Sequence, residues 1–129
     1  MKFKYTILYV QNVEESIIFF ENAFGLKRIM IHESGDYGEL DTGLTKLSFS
    51  SIKLMQELGK KVSRPVKGAP TFEIAFETDD VSTSLARAIS VGAELVQDVT
   101  DMPWGQTISY VNDKNGFLIE ICSPINSQE

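Results

Sequence analysis

The feature that most constrains this chain is that its first half opens as its second half does. Offset by 68 positions, Asn12 meets Asp80, Val13 meets Val81, Ser16 meets Ser84, Ile17 meets Leu85 and Phe20 meets Ala88. Residue type or role recurs at each position: a polar residue able to cap a helix, then an apolar stripe at helical spacing. Two copies of one supersecondary unit in 129 residues predict a single domain assembled from two like modules.

Each copy reads as strand, helix, strand, strand, strand. In the first, Phe3 to Val10 is aromatic and β-branched and predicts a strand. Asn12 and Glu15 form a capping-box-like pair before a helix that runs to Phe24 and ends at Gly25. Lys27 to His32 is the next strand, and Tyr37 to Asp41 with Lys46 to Ser51 form a hairpin around Thr42-Gly43-Leu44. In the second copy, Thr71 to Thr78 is a strand and Val81 to Val91 a helix capped by Asp80 and ended by Gly92. Ala93 to Val96 is a short strand, followed by a turn region holding Met102-Pro103-Trp104-Gly105. Gln106 to Val111 and Phe117 to Cys122 close the copy around the turn at 112–116. Residues 52–70, with a short helix over Leu54 to Leu58 and then Lys60, Lys61, Arg64 and Lys67, read as a solvated linker. The expected class is α+β: two βαβββ modules (about 3–51 and 71–123), each a curved mixed sheet with a helix on its outer face, enclosing a cleft.

Composition narrows the function. A net charge of −6 argues against a nucleic-acid surface. One cysteine, Cys122, rules out an intrachain disulfide and suits a reducing compartment. No apolar run is long enough to span a membrane, and no early run resembles a signal peptide, so the expected location is the cytoplasm.

The βαβββ repeat carries Val10, Ser16-Ile17, Phe19-Phe20 and Phe24-Gly25-Leu26 in its first copy. Its second copy carries Pro103-Trp104-Gly105-Gln106, followed by Tyr110-Val111-Asn112-Asp113-Lys114-Asn115-Gly116-Phe117-Leu118-Ile119-Glu120. Over about residues 3–123 this resembles the vicinal oxygen chelate superfamily of glyoxalase I, bleomycin-resistance proteins and extradiol dioxygenases. The resemblance implies the fold, a homodimer and a small organic molecule as partner; it does not choose a reaction, because the fold hosts several.

The superfamily's metal enzymes resemble one another in placing a ligand on the first and last strand of each module, from a set of His or Gln, Glu, His and Glu. Carried across, those positions are Tyr5, Ser48, Glu73 and Glu120. A neutral phenol and a serine hydroxyl are poor ligands, and transition metals ask for three or four imidazole, thiolate or carboxylate donors. The lone histidine, His32, sits at a strand end and reads as an ordinary edge residue. No metal and no cofactor are therefore expected; a divalent ion is the alternative.

Period-2 alternation puts Tyr5, Ile7 and Tyr9 with Lys46, Ser48 and Ser50 on one module's inner face, and Glu73, Ala75 and Glu77 with Leu118, Glu120 and Cys122 on the other's. Ile74, Phe76, Ile119, Ile121, Leu47 and Phe49 face the helices. The candidate ligand-binding residues are Tyr5, Ile7, Tyr9, Ser48, Glu73, Trp104 and Glu120, with Trp104 offering a ring for stacking or for a cation or serving as a packing or dimer-contact residue. Two close carboxylates without a metal do not both stay ionised easily, so one pKa is expected to rise. Glu73 and Glu120 are also the candidate catalytic pair, or relics satisfied by a water or by Lys46. Cys122, beside acids, reads as structural.

The expected function is a metal-independent binding protein of the bleomycin-resistance type, holding an amphiphilic or cationic organic ligand. The alternative is a metal-dependent glyoxalase-like lyase or dioxygenase with a divergent site on Glu73 and Glu120. A scaffold with an empty cleft is the blandest reading.

Overall fold

The structure, a computed structural model, describes residues 1–125; the last four positions of the expected domain lie outside the described residues. The chain separates into two compact units, Met1–Arg64 and Pro65–Glu129, called module one and module two below. The boundary falls inside the stretch read as a linker.

In module one, β1 (Tyr5–Val10) leads to α1 (Val13–Phe24), β2 (Lys27–Ile31), β3 (Tyr37–Asp41), β4 (Lys46–Ser51) and α2 (Ile52–Glu57). The sheet order is β1-β4-β3-β2, with β1 parallel to β4 and the other pairs antiparallel. Asn12 caps α1 as expected: its Oδ1 accepts the Glu15 N–H at 3.0 Å, and Gly25, at φ 70°, closes the far end by donating its N–H to Glu21 O. That left-handed geometry costs a residue with a Cβ about 1 kcal/mol or more. Val13, Ile17 and Phe20 are buried against Leu8, Val10, Leu40, Leu47 and Phe49, and the Phe20 and Phe49 rings meet at 5.2 Å. Gly38 lets the helix approach the sheet, since a Cβ there would lie 2.3 Å from Ile17 Cδ1.

Module two repeats the plan with β5 (Glu73–Glu77), α3 (Val81–Ser90), β6 (Glu94–Met102), β7 (Gln106–Asn112) and β8 (Leu118–Cys122), in the order β5-β8-β7-β6. Again the first and last strands run parallel. Asp80 caps α3, and its two hydrogen bonds from Thr83 hold its carboxyl below the ordinary aspartate value. Val81, Leu85 and Ala88 are the buried helix face, over Val111, Ile119 and Ile121.

Two expectations need correcting. The strand read as Ala93 to Val96 continues to Met102. Its pairing with β7 shifts register between Leu95 and Gln97 and again between Gln97 and Thr100. Asp98 stabilises that irregularity by accepting from Val99 N and, through its carbonyl, from Thr100 Oγ1. Bulges of this kind erase the alternation that marks a strand in sequence. The short helix begins at Ile52, directly after β4, because the Ser51 hydroxyl caps it by accepting the Leu54 N–H. Among the described residues no helix is long and apolar enough to cross a membrane.

Candidate functional site

The β7–β8 turn sets the geometry of module two's polar face. Asp113 is buried, and its Oδ1 accepts the backbone N–H groups of Asn115, Gly116 and Phe117 at 2.8–2.9 Å. Its burial nevertheless raises its pKa above the ordinary value, with those hydrogen bonds acting against the rise. The turn fixes Asn112 opposite Leu118, which places Tyr110 opposite Glu120. On the other side of β8, Ala75 lies opposite Glu120 and Glu73 opposite Leu118. Glu73 and Glu120 are therefore diagonal neighbours on one face, as expected, and both are joined by a residue the sequence reading did not single out.

That residue is Tyr110. Its hydroxyl lies 3.2 Å from Glu73 Oε2 and 3.1 Å from Glu120 Oε2 and donates toward both. Burial, and then the two carboxylates, raise the phenol well above its ordinary pKa of 10.0, so it stays a neutral donor. Glu77 belongs to the same acidic face. The Cys122 thiol is pushed up by burial and then by Glu120, Glu77 and Glu73, with Gln106 opposing; Cys122 Sγ contacts Phe76 O at 3.6 Å. A buried thiol so placed is inert, in line with a structural role.

The ion pairs among the described residues are Arg28–Glu21, Lys46–Glu39, Lys53–Glu57 and Lys67–Glu94. Neither Glu73 nor Glu120 takes part in one. Lys46 pairs within module one, its ammonium 3.4 Å from Glu39. Two of the linker cations are likewise engaged, Lys67 with Glu94 and Arg64 with Gln11.

Module one presents the matching face with a different balance. Ser48, at the position of Glu120, is fully buried. Glu39 pairs with Ser48 across the hairpin as Tyr110 pairs with Glu120. The carboxylate of this module therefore sits on β3 and not on β4. Tyr37 donates to Glu39 Oε2 at 2.8 Å, and burial, with Glu39 adding to it, pushes the Tyr37 phenol up to about 12. Ser48 Oγ makes no hydrogen bond of ordinary geometry, although it lies near enough to the Tyr37 hydroxyl to offset part of that rise. Tyr5 and Tyr9 line the same face, with Lys4 and Lys60 ammonium groups 5.4 and 5.6 Å from their ring centres. Ile7 is 39% exposed between them.

Trp104 projects from the turn closed by Gly105 N–H to Met102 O. It is 52% exposed, and its indole N–H donates to Gln106 Oε1 at 2.8 Å. Gln106, Ile108 and Tyr110 alternate onto one face of β7, so the ring stands at the end of the strand that carries Tyr110.

These residues do not fit the four-donor metal set that the resemblance implies. In module one its positions hold a phenol and a buried hydroxyl. In module two one oxygen of each carboxylate lies against the Tyr110 hydroxyl. His32 lies in an exposed turn, where its Nδ1 accepts the Ser34 N–H and pairs with the Ser34 hydroxyl. Among the described residues, no three His, Cys, Asp or Glu side chains converge in a way that can hold a metal ion.

A family model described as "Glyoxalase-like domain" matches residues 3–126. A lactoylglutathione lyase of Neisseria meningitidis serogroup A is 27% identical over 131 residues, covering 93% of this chain and 88% of its own length. Among solved structures, a glyoxalase-related enzyme from Fulvimarina pelagi superposes with a TM-score of 0.82 at 19% identity, over 96% of this chain and 88% of that one. A glyoxalase/bleomycin resistance protein/dioxygenase family enzyme from Burkholderia phytofirmans PsJN gives a TM-score of 0.81 at 18% identity, over 93% and 96%.

Proposed function

The chain belongs to the glyoxalase-like family, and from that premise we propose that it is a metal-independent binding protein for an amphiphilic organic cation. The observation that carries the reading is the unbalanced acidic face of module two. Glu73 and Glu120 share one neutral phenol, and no ion pair among the described residues includes either. An N–H-bearing ligand cation supplies the missing positive charge, and hydrogen bonds to charged acceptors are worth about 1.5–3 kcal/mol each. Trp104 adds an exposed ring for the ligand's apolar part. Tyr5, Ile7 and Tyr9 belong to the proposed binding set on the corresponding face of module one, while Ser48, fully buried, is left out of it. The working form is proposed to be a cytoplasmic homodimer; sedimentation showing only monomer at micromolar concentration would remove the dimer.

The test uses chelator-treated protein and benzamidinium as the probe, followed by calorimetry and by the fluorescence of Trp104, the sole tryptophan. Saturable one-to-one binding without added metal is expected, with no binding of benzoate. A requirement for metal, or equal binding of benzoate, would overturn the reading. A second reading, a metal-dependent lyase, is favoured by one observation: the Neisseria relative carries the name lactoylglutathione lyase. Lactoylglutathione formation by this chain that depends on Ni²⁺ or Zn²⁺ and is lost in Glu120→Ala would establish that reading instead.

A further inference from the structure

The Tyr110 hydroxyl stands where a cation would stand between two acids. Glu73 Oε2 and Glu120 Oε2 are each one hydrogen bond from the same phenol oxygen, at 3.2 and 3.1 Å. The two carboxylate oxygens are therefore within two hydrogen-bond lengths of each other. A modest side-chain adjustment would bring them to either side of a single divalent ion, whose oxygen ligands sit at about 2.0–2.6 Å. Glu73 is exposed and free to make it.

We propose that Tyr110 is a specificity-determining residue whose hydroxyl keeps divalent metal ions out of the Glu73–Glu120 pair. Three observations carry this. The phenol occupies the space between the carboxylates, its one O–H proton within hydrogen-bond reach of an oxygen of each. It comes from β7, the strand lying between β8 and β6, and is only half-exposed, so the ring is held by the sheet. A phenol, whose ordinary pKa is about 10, offers an incoming ion at neutral pH a proton and no anionic oxygen. A metal must displace it to reach both acids.

Module one shows the same device independently. Glu39 occupies the hairpin position that corresponds to Tyr110, and a phenol again satisfies the carboxylate, with Tyr37 donating at 2.8 Å and Lys46 at 3.4 Å. On each module's face a protein O–H donor has been built against the acids. The metal-exclusion role of Tyr110 holds whatever organic molecule the face takes, so it fails or survives separately from the function proposed above.

The experiment is Mn²⁺ binding by the full chain, read from the loss of the free-ion magnetic resonance signal and by calorimetry. The wild type is expected to show no stoichiometric Mn²⁺ binding below millimolar concentration. Tyr110→Phe, which keeps the ring and removes the hydroxyl, is expected to gain at least tenfold in Mn²⁺ affinity. The gain should vanish in the double variant Tyr110→Phe/Glu120→Gln. Tyr37→Phe, which leaves Lys46 on Glu39, should gain nothing. Tyr110→Leu asks the same question should the phenylalanine variant fail to fold. Stoichiometric Mn²⁺ in the wild type, measurable on its own, would overturn the proposal. So would unchanged Mn²⁺ affinity in a folded Tyr110 variant, or a gain that survives loss of Glu120. A merely structural Tyr110 would produce loss of stability and no gain of metal.

Discussion

The two modules share a frame and differ in what fills it. The helix of module one drives Phe20 into a cluster with Phe19, Phe24 and Phe49, whereas α3 offers Ala88 at the matching position. On the polar faces the contrast runs the other way. Module one sets Lys46 and Tyr37 against Glu39; module two leaves Glu73 and Glu120 to one phenol. The repeat teaches that a frame of caps, helix stripe and strand order constrains the buried side and leaves the sheet's other face to diverge. Module one has become the aromatic-cored half and module two the half whose acids Glu73 and Glu120 join no ion pair among the described residues.

The largest expected effect tests the packing side. Phe20→Ala gives module one the small residue of module two, but without a core built around it. A loss of about 3–5 kcal/mol is expected by denaturant unfolding; a loss under about 1 kcal/mol would show that the aromatic cluster is not what stabilises this half.

Next come the turns. Asp113→Ala strips the acceptor from three backbone N–H groups and is expected to cost about 2–4 kcal/mol, since buried unsatisfied donors cost about 1–3 kcal/mol each and the Gly116 N–H also reaches the Asp113 carbonyl. In module one's hairpin Asp41, which pairs with Lys46 as Asn112 pairs with Leu118, accepts a single exposed N–H, that of Gly43. Asp41→Ala should cost under about 1 kcal/mol. Equal losses would erase the contrast between a buried and an exposed hairpin.

The sheet–helix contact gives a smaller effect. Gly38→Ala must push Ile17 aside and is expected to cost about 1–3 kcal/mol. At the matching position in module two stands Ser109, whose hydroxyl donates a long 3.3 Å hydrogen bond to Ile121 O. Ser109→Ala should cost at most about 1 kcal/mol.

These positions also show how much could be read in advance. Both helices, their caps and the β3–β4 hairpin were legible, because Asn12, Asp80 and the apolar stripes each act locally. The full length of strand β6 was not, since Gln97 and Asp98 sit where two register shifts break the alternation and only pairing with β7 extends it from Val96 to Met102. The Glu73–Glu120 proximity was implied by the family resemblance, which makes the first and last strands of a module neighbours, as β5 and β8 are. Tyr110 was missed for a narrower reason. Asn112 read as a turn residue, yet it pairs with Leu118; counting it as turn slips the hairpin register and hides that Tyr110 faces Glu120. Glu39 was within reach, because Asp41 opposite Lys46 places it opposite Ser48, but attention to first and last strands passed over β3.

The smallest effect expected is on the pH axis. Both raised phenols stay protonated in the folded chain after the unfolded chain has ionised, so stability is full below pH 10.0 and falls as pH rises from there toward about 12 for Tyr37, with Tyr110 continuing the fall beyond. Tyr110→Phe should flatten the far end of that alkaline decline and Tyr37→Phe the near end, as followed by unfolding at stepped pH. Phenolate absorbance appearing near pH 10.0 for both residues would contradict the geometry of both faces.

The comparison turns on which face takes the ligand's charge, and the most direct measurement is the affinity of chelator-treated wild type, Glu39→Gln and Glu120→Gln for benzamidinium. The account predicts at least a tenfold loss in Glu120→Gln, about 1.4 kcal/mol, with Glu39→Gln binding like the wild type because its charge is already spent on Lys46. Equal losses in the two variants, or a loss confined to Glu39→Gln, would contradict it.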